Sequence, residues 1–227
     1  MVVREQPSTA NLLVAMHRIF SSALLALVVC GMSASSRAEA PLAGSEAPAA
    51  TAESTIDQLN RALLDIMMRA DELGYRGRFE TVAPVVRETF DTTFMAAKSV
   101  GSTWRKLEPE QRQRWVETLE AYTISNLADR FDGFSGETLA IVGDRPASNE
   151  TLVVETRLDR PGEEPVDLDY RMREAGPGWK VIDVYSDGKI SEIALRRAEY
   201  ASVLRSGGIE SLIAAVSAKT EKRGRDK

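Results

Sequence analysis

Apolar positions along this chain change period once, from steps of three and four to strict alternation. Over residues 54–73, Ile56, Leu59, Leu63, Ile66, Met67, Ala70 and Leu73 share one face of a predicted helix, which Gly74 ends. Phe79, Val82, Val86 and Phe90 repeat that step, with Pro84 marking a helix start or a kink. Asp91 can cap a short helix through Lys98 that Gly101 stops. Pro109 suits the first residue of a long helix to about Phe131, with Trp115, Leu119 and Tyr122 on one side. Beyond Gly133 and Gly136 the period becomes two, and strands are predicted over 138–142, 151–158, 166–173 and 179–185. The third is clearest, since Val166, Leu168, Tyr170 and Met172 alternate with Asp167, Asp169, Arg171 and Arg173. A strand turns these to opposite faces, one apolar and one fully charged. Gly176, Pro177 and Gly178 supply a tight turn into the fourth strand. Ser191 can cap a last helix over 192–205, which breaks at Gly207-Gly208 and resumes over 209–218. The polar, basic stretch 220–227 reads as a frayed tail.

Helices first and strands later, with no repeat and no dividing linker, predict one α+β domain over 54–219, helices packed on one face of an antiparallel sheet. The apolar sheet face needs that cover. Pattern alone does not say whether the space between holds a solid core or a pocket.

The ends change the chemistry that is available. Arg18 precedes the apolar run 23–29, and Ala38-Glu39-Ala40 has the small-x-small pattern that signal peptidase cleaves after. Residues 1–40 therefore read as an export signal, with Met16-His17-Arg18 a more typical start than Met1. The run 23–32 is too short to span ~30 Å of hydrocarbon, and bulky Val29 argues against lipid modification of Cys30. The Ala- and Pro-rich stretch 41–53 reads as a flexible leader. Cleavage removes the only cysteine, Cys30, and the only histidine, His17. Zinc sites built on His or Cys, and Ser-His-Asp or Cys-His catalysis, are thereby excluded from the expected mature chain. No cofactor or metal is expected. Without residues 1–40 the chain keeps 26 of its 29 basic and 32 of its 34 acidic residues, a net charge of −6. That balance disfavours nucleic acid and permanent residence on an anionic membrane.

Three polar candidates stand beside bland readings. Asp183 lies inside an apolar strand, as a general base or as a carboxylate satisfied by backbone donors. Asp167 and Asp169 form either a carboxylate pair or part of a solvated face that pairs charges across the sheet. Arg196 and Arg197 either meet an anionic head group or coat a helix. Gly207-Gly208 lacks the strand before and the Lys-Ser or Lys-Thr after that a phosphate loop needs.

One resemblance adds to this reading. The order Tyr170-Arg, Gly178-Trp-Lys-Val-Ile-Asp-Val184, Asp187-Gly-Lys-Ile-Ser191 and Leu195-Arg-Arg-Ala-Glu-Tyr200 resembles the MlaC-like family, also called toluene-tolerance or ABC-transporter auxiliary proteins. The match continues upstream through Val100-Gly-Ser-Thr-Trp104, Glu108-Pro-Glu-Gln-Arg112 and Phe131-Asp-Gly-Phe-Ser-Gly136, covering about residues 56–219. Residues 131–136 and 190–206 look closer to the hopanoid-associated HpnM branch. The resemblance implies a strongly curved cystatin- or NTF2-like sheet with an apolar pocket under its helices, in a monomeric, non-enzymatic periplasmic lipid carrier. The implied cargo is a phospholipid or a hopanoid. The implied partners are an inner-membrane ABC transporter complex and an outer-membrane lipoprotein. With the pocket assumed, the expected lipid-binding set is Phe90, Phe94, Trp115, Leu119, Tyr122, Val142, Val166, Leu168, Tyr170, Met172, Trp179, Val181, Tyr200 and Leu204. An NTF2-like enzyme using Asp183, or a solid-cored interaction module of an envelope complex, remain the alternatives.

Overall fold

Thr51 accepts a hydrogen bond from the Ser54 amide at 3.1 Å and so starts α1, Ala52–Met68. A computed structural model describes residues 50–226; the expected signal peptide and most of the leader lie outside the described residues. Helix α2, Ala70–Thr89, follows through a bend at Arg69 and is broken at Gly74, whose φ of 57° is not helical. Asp91 caps α3, Thr92–Val100, accepting from the Phe94 amide at 2.9 Å. A 3₁₀ turn over Gly101–Lys106 leads to α4, Pro109–Arg130, which opens with proline and a Glu108–Gln111 capping box.

Four long strands then form an antiparallel meander, β1 (Thr138–Ala147), β2 (Thr151–Asp159), β3 (Val166–Ala175) and β4 (Gly178–Ser186), with the short β5 (Ile190–Ser191) beside β4. Bulges at Val142 in β1 and Ile182 in β4 each insert an extra residue and bend the sheet. The alternation in β3 is kept: Tyr170 and Met172 enter the core, while Arg171 faces Asp183 and Arg173 faces Lys180 across the other side. The architecture is α+β, helices over one face of a curved antiparallel sheet.

Helix α5, Glu192–Asp226, breaks at Gly208, where φ is 66°. Glycine visits that region at little cost, so the second half can fold back along α4. Residues 220–226 correct the expected frayed tail, because they continue α5 in helical form. Arg223 stacks over Tyr122 at 4.8 Å and pairs with Asp129 at 3.5 Å, which holds the last turns. No helix among the described residues is long and apolar enough to cross a membrane.

The break at Gly74 leaves a second trace. Arg78 is buried, and its guanidinium donates to the Ala70 carbonyl at 3.1 Å and the Ala128 carbonyl at 2.9 Å. It thus serves carbonyls near the α2 break and the end of α4 that helical bonding leaves short of donors. Arg78→Met should cost about 2–3 kcal/mol in urea unfolding, since two buried carbonyls lose a charged donor.

Candidate lipid-binding site

The apolar interior has two layers. Helix α1 lies over β1, β2 and β4, whereas α4 packs mainly on α2, α3 and α5. The sequence-expected residues divide accordingly. Tyr170, Met172 and Val181 are buried on the sheet side, with Leu168 and Trp179 half-buried beside them. Trp115, Leu119, Tyr122 and Tyr200 are buried between helices, with Leu204 half-buried at their margin. Phe90 joins the layers at the sheet edge, through a parallel bridge to Val181. All of these belong to one continuous apolar cluster.

Three expected residues sit elsewhere. Val142 corrects its assignment: it is 55% exposed because it alternates with Leu139 and Ile141, which take the inward positions of β1. Val166 is half-buried at the start of β3, opposite Leu158, and outside the main cluster. Phe94 turns toward charge, with the Arg173 guanidinium 4.7 Å and the Lys98 ammonium 5.0 Å from its ring. The opposite wall was overlooked: Ile56, Leu59 and Leu63 of α1 are fully buried where that helix crosses the sheet. Their three-four spacing had marked a core face without marking a site.

Polar groups fix the helical layer. The Trp115 indole donates to the Ala96 carbonyl at 3.1 Å, and its ring meets Tyr200 edge-on at 5.4 Å. Arg196 is buried and donates to the Tyr122 hydroxyl at 2.6 Å and to Glu192, with its guanidinium 4.5 Å from the Tyr122 ring. Burial pushes the Tyr122 phenol up, but the charges of Arg196 and Arg223 outweigh it and hold it below its usual range. Burial raises the Tyr170 and Tyr200 phenols. The Tyr200 hydroxyl is buried without a hydrogen-bond partner among the described residues.

The carboxylates have structural partners. Asp183 accepts from the amides of Val184 at 2.9 Å and Ile193 at 3.1 Å, and from the Ser191 hydroxyl at 2.6 Å. It therefore ties β4 to the first turn of α5. Asp167 pairs with Arg157 across the sheet at 3.1 Å. Burial, then Glu155, raise the Asp169 carboxyl above its usual range against the pull of Arg145.

Shallow clefts open at the margin of the core among the described residues. One, of about 310 Å³, runs between Phe90, Val116, Ala175 and the start of α3, rimmed by Arg87, Asp91, Glu120 and Lys180. The other, of about 220 Å³, lies where Leu152 and Trp179 meet Thr51, Ala52, Glu53 and Asp144. The first is close to the ~300 Å³ lower end of ordinary ligand pockets and the second is below it.

This arrangement defines an α+β domain whose continuous apolar interior lies between one sheet face and a helical layer. A sequence model of the family described as MlaC protein matches residues 57–218, so the chain belongs to the MlaC family. Among solved structures it is similar to a phospholipid-binding protein from Ralstonia solanacearum described in complex with a phospholipid. Identity there is 22%, with 77% of this chain and 99% of that one covered, and the TM-score is 0.68. That likeness shows the fold. No curated protein matches the chain.

Proposed function

We propose that this protein is a periplasmic carrier that holds the tails of a membrane lipid between the sheet and its helices, without covalent chemistry. The observation that carries the reading is the continuous apolar interior, which joins the sheet face under α1 to the aromatic residues of α4 and α5. Membership of the MlaC family and the phospholipid described in the Ralstonia solanacearum protein support it. The cargo class is a phospholipid or a hopanoid. The protein shuttles it between an inner-membrane ABC transporter complex and an outer-membrane lipoprotein.

Solubility supplies the driving force. Burying an acyl chain of about sixteen carbons recovers ~12 kcal/mol gross, at ~0.8 kcal/mol per CH₂. A carrier must therefore cover the tails while the head stays in water at a mouth. In this structure Trp115, Met172 and Val181 are fully buried, so tails enter only when the layers separate.

The ties between layers suggest where they part. Arg173 meets Asp91 at 2.5 Å, Lys180 donates to the Glu88 carbonyl at 2.5 Å, and Asp183 caps α5. These hold β3 and β4 to the helices. Helix α1 crosses β1 and β2 on an apolar stripe, and apolar packing is non-directional and tolerates sliding better than hydrogen bonds do. The β1–β2 side is then the side that opens, near the cleft at Leu152 and Trp179.

Protein released from the periplasm and purified without detergent should carry lipid, seen as a mass increment in native mass spectrometry and identified after extraction. Protein that neither carries lipid nor takes it from vesicles would overturn the carrier reading in favour of a solid-cored interaction module. Recovery of a cleaved or isomerised lipid, lost in Asp183→Asn, would replace it with an enzyme.

A further inference from the structure

Cations at one place on the helical layer lack acidic partners. Twelve arginines elsewhere among the described residues sit in ion pairs, while Arg78, Arg130, Arg171, Arg205 and four lysines elsewhere sit in none. Lys98, Arg105, Lys106, Arg112 and Arg197 have no ion pair there, and all five gather around the 3₁₀ turn that joins α3 to α4. Arg112 lies with its guanidinium 5.6 Å from the Trp104 ring and donates to the Trp104 carbonyl at 3.2 Å. Arg105 and Lys106 are exposed on the turn itself, and Lys98 is exposed one turn earlier.

Arg197 reaches the same place from α5. A Cβ at Gly101 would stand 2.9 Å from its Nη2, 3.0 Å from its Cζ and 3.1 Å from its Nε, so glycine alone lets the guanidinium lie on the backbone there. Gly101 closes α3, whose carbonyl end carries partial negative charge and holds the cation in place. Two carboxylates belong to these segments, Glu108 and Glu110. Glu108 is engaged in the capping box at the start of α4, and Glu110 is exposed. The patch remains positive on a chain of formal net charge −5.

We propose that this Trp104-centred surface docks the protein reversibly on membranes that contain anionic phospholipid. The charge is complementary to an anionic headgroup layer. A half-buried indole, Trp104, lies among long cationic side chains, and Lys98 reaches back over the Phe94 ring, a composition suited to an interface that is apolar below and wet above. An acidic protein surface would satisfy the charge without using the aromatics. The net negative charge of the rest of the molecule opposes tight residence and orients it patch-first. The cleft at Phe90, Thr92 and Thr93 lies at the other end of α3, a nine-residue helix about 13 Å long, so docking brings that cleft near the bilayer.

The test uses the purified mature chain and vesicles of phosphatidylethanolamine with and without phosphatidylglycerol. Co-sedimentation should require phosphatidylglycerol and fall steeply with added salt. Lys98→Gln, Arg105→Gln and Lys106→Gln should each weaken it about fivefold, and the triple variant about a hundredfold. Arg61→Gln, on the outer face of α1, should leave it unchanged. Lipid carried through purification should be unaltered in the triple variant, which separates failure of docking from failure of the carrier reading. Equal binding to both vesicle types, or a folded triple variant that binds as wild type does, would overturn the proposal. So would a triple variant that keeps vesicle binding but loses transfer to a membrane protein partner, because the patch would then be a protein interface.

Discussion

Trp115→Ala is expected to lower folding stability by about 3–5 kcal/mol, the upper range for a large side chain deleted from a core. Trp115 is fully buried where α3, α4 and α5 meet. Two further losses add to the cavity. The Ala96 carbonyl loses its indole donor, and Tyr200 loses the ring that its own ring packs against. Urea unfolding followed by circular dichroism measures the change. Trp115→Phe, which keeps an aromatic ring but no donor, should cost about 1–2 kcal/mol, mainly for the unpaired carbonyl. A loss under ~1 kcal/mol for the alanine variant would show that this junction does not anchor the helical layer.

Leu168→Trp should reduce lipid occupancy at least tenfold while costing about 1–3 kcal/mol of stability, the usual penalty for overpacking. Leu168 is half-buried on the apolar face of β3, in line with Tyr170 and Met172, so an indole there would fill space that the proposed site gives to the tails. The paired control is Val142→Trp. At the exposed β1 bulge an indole meets solvent, and both occupancy and stability should stay near wild type. Occupancy is read by native mass spectrometry and stability by thermal unfolding. Undiminished lipid in a folded Leu168→Trp protein would place the tails on another surface.

The contrast between Leu168 and Val142 shows how legible the site was. Both are apolar residues of predicted strands, but Leu139 and Ile141 hold the inward positions of β1, so a period of two puts Val142 on the other face. Burial in β1 alternates unbroken through Val142; what the sequence left unmarked is the bulge there, whose place depends on how β1 registers against β2. The α1 wall was missed for a different reason. Ile56, Leu59 and Leu63 announce a buried face plainly, but periodicity does not say against which element that face packs. The Tyr122–Arg196–Arg223 stack was hidden because the two arginines are 74 and 101 positions from Tyr122, and Arg223 reaches it only through the fold-back at Gly208. Arg223 was accordingly assigned to a tail.

By itself the sequence determined the helices, the four long strands, the apolar side of β3 and the breaks at Gly74 and Gly208. Those are local properties, set by side-chain spacing, capping residues and glycine's access to positive φ, and each is written within a few neighbouring positions. Tertiary structure alone decided that the apolar residues form two layers, that Asp183 ties β4 to α5, that the final turns stay helical, and that five unpaired cations share one face. Each of these depends on contacts between residues far apart in the chain. Apolar attraction is non-directional, so hydrophobic pattern says which residues are buried and leaves their partners to the packing of the whole fold.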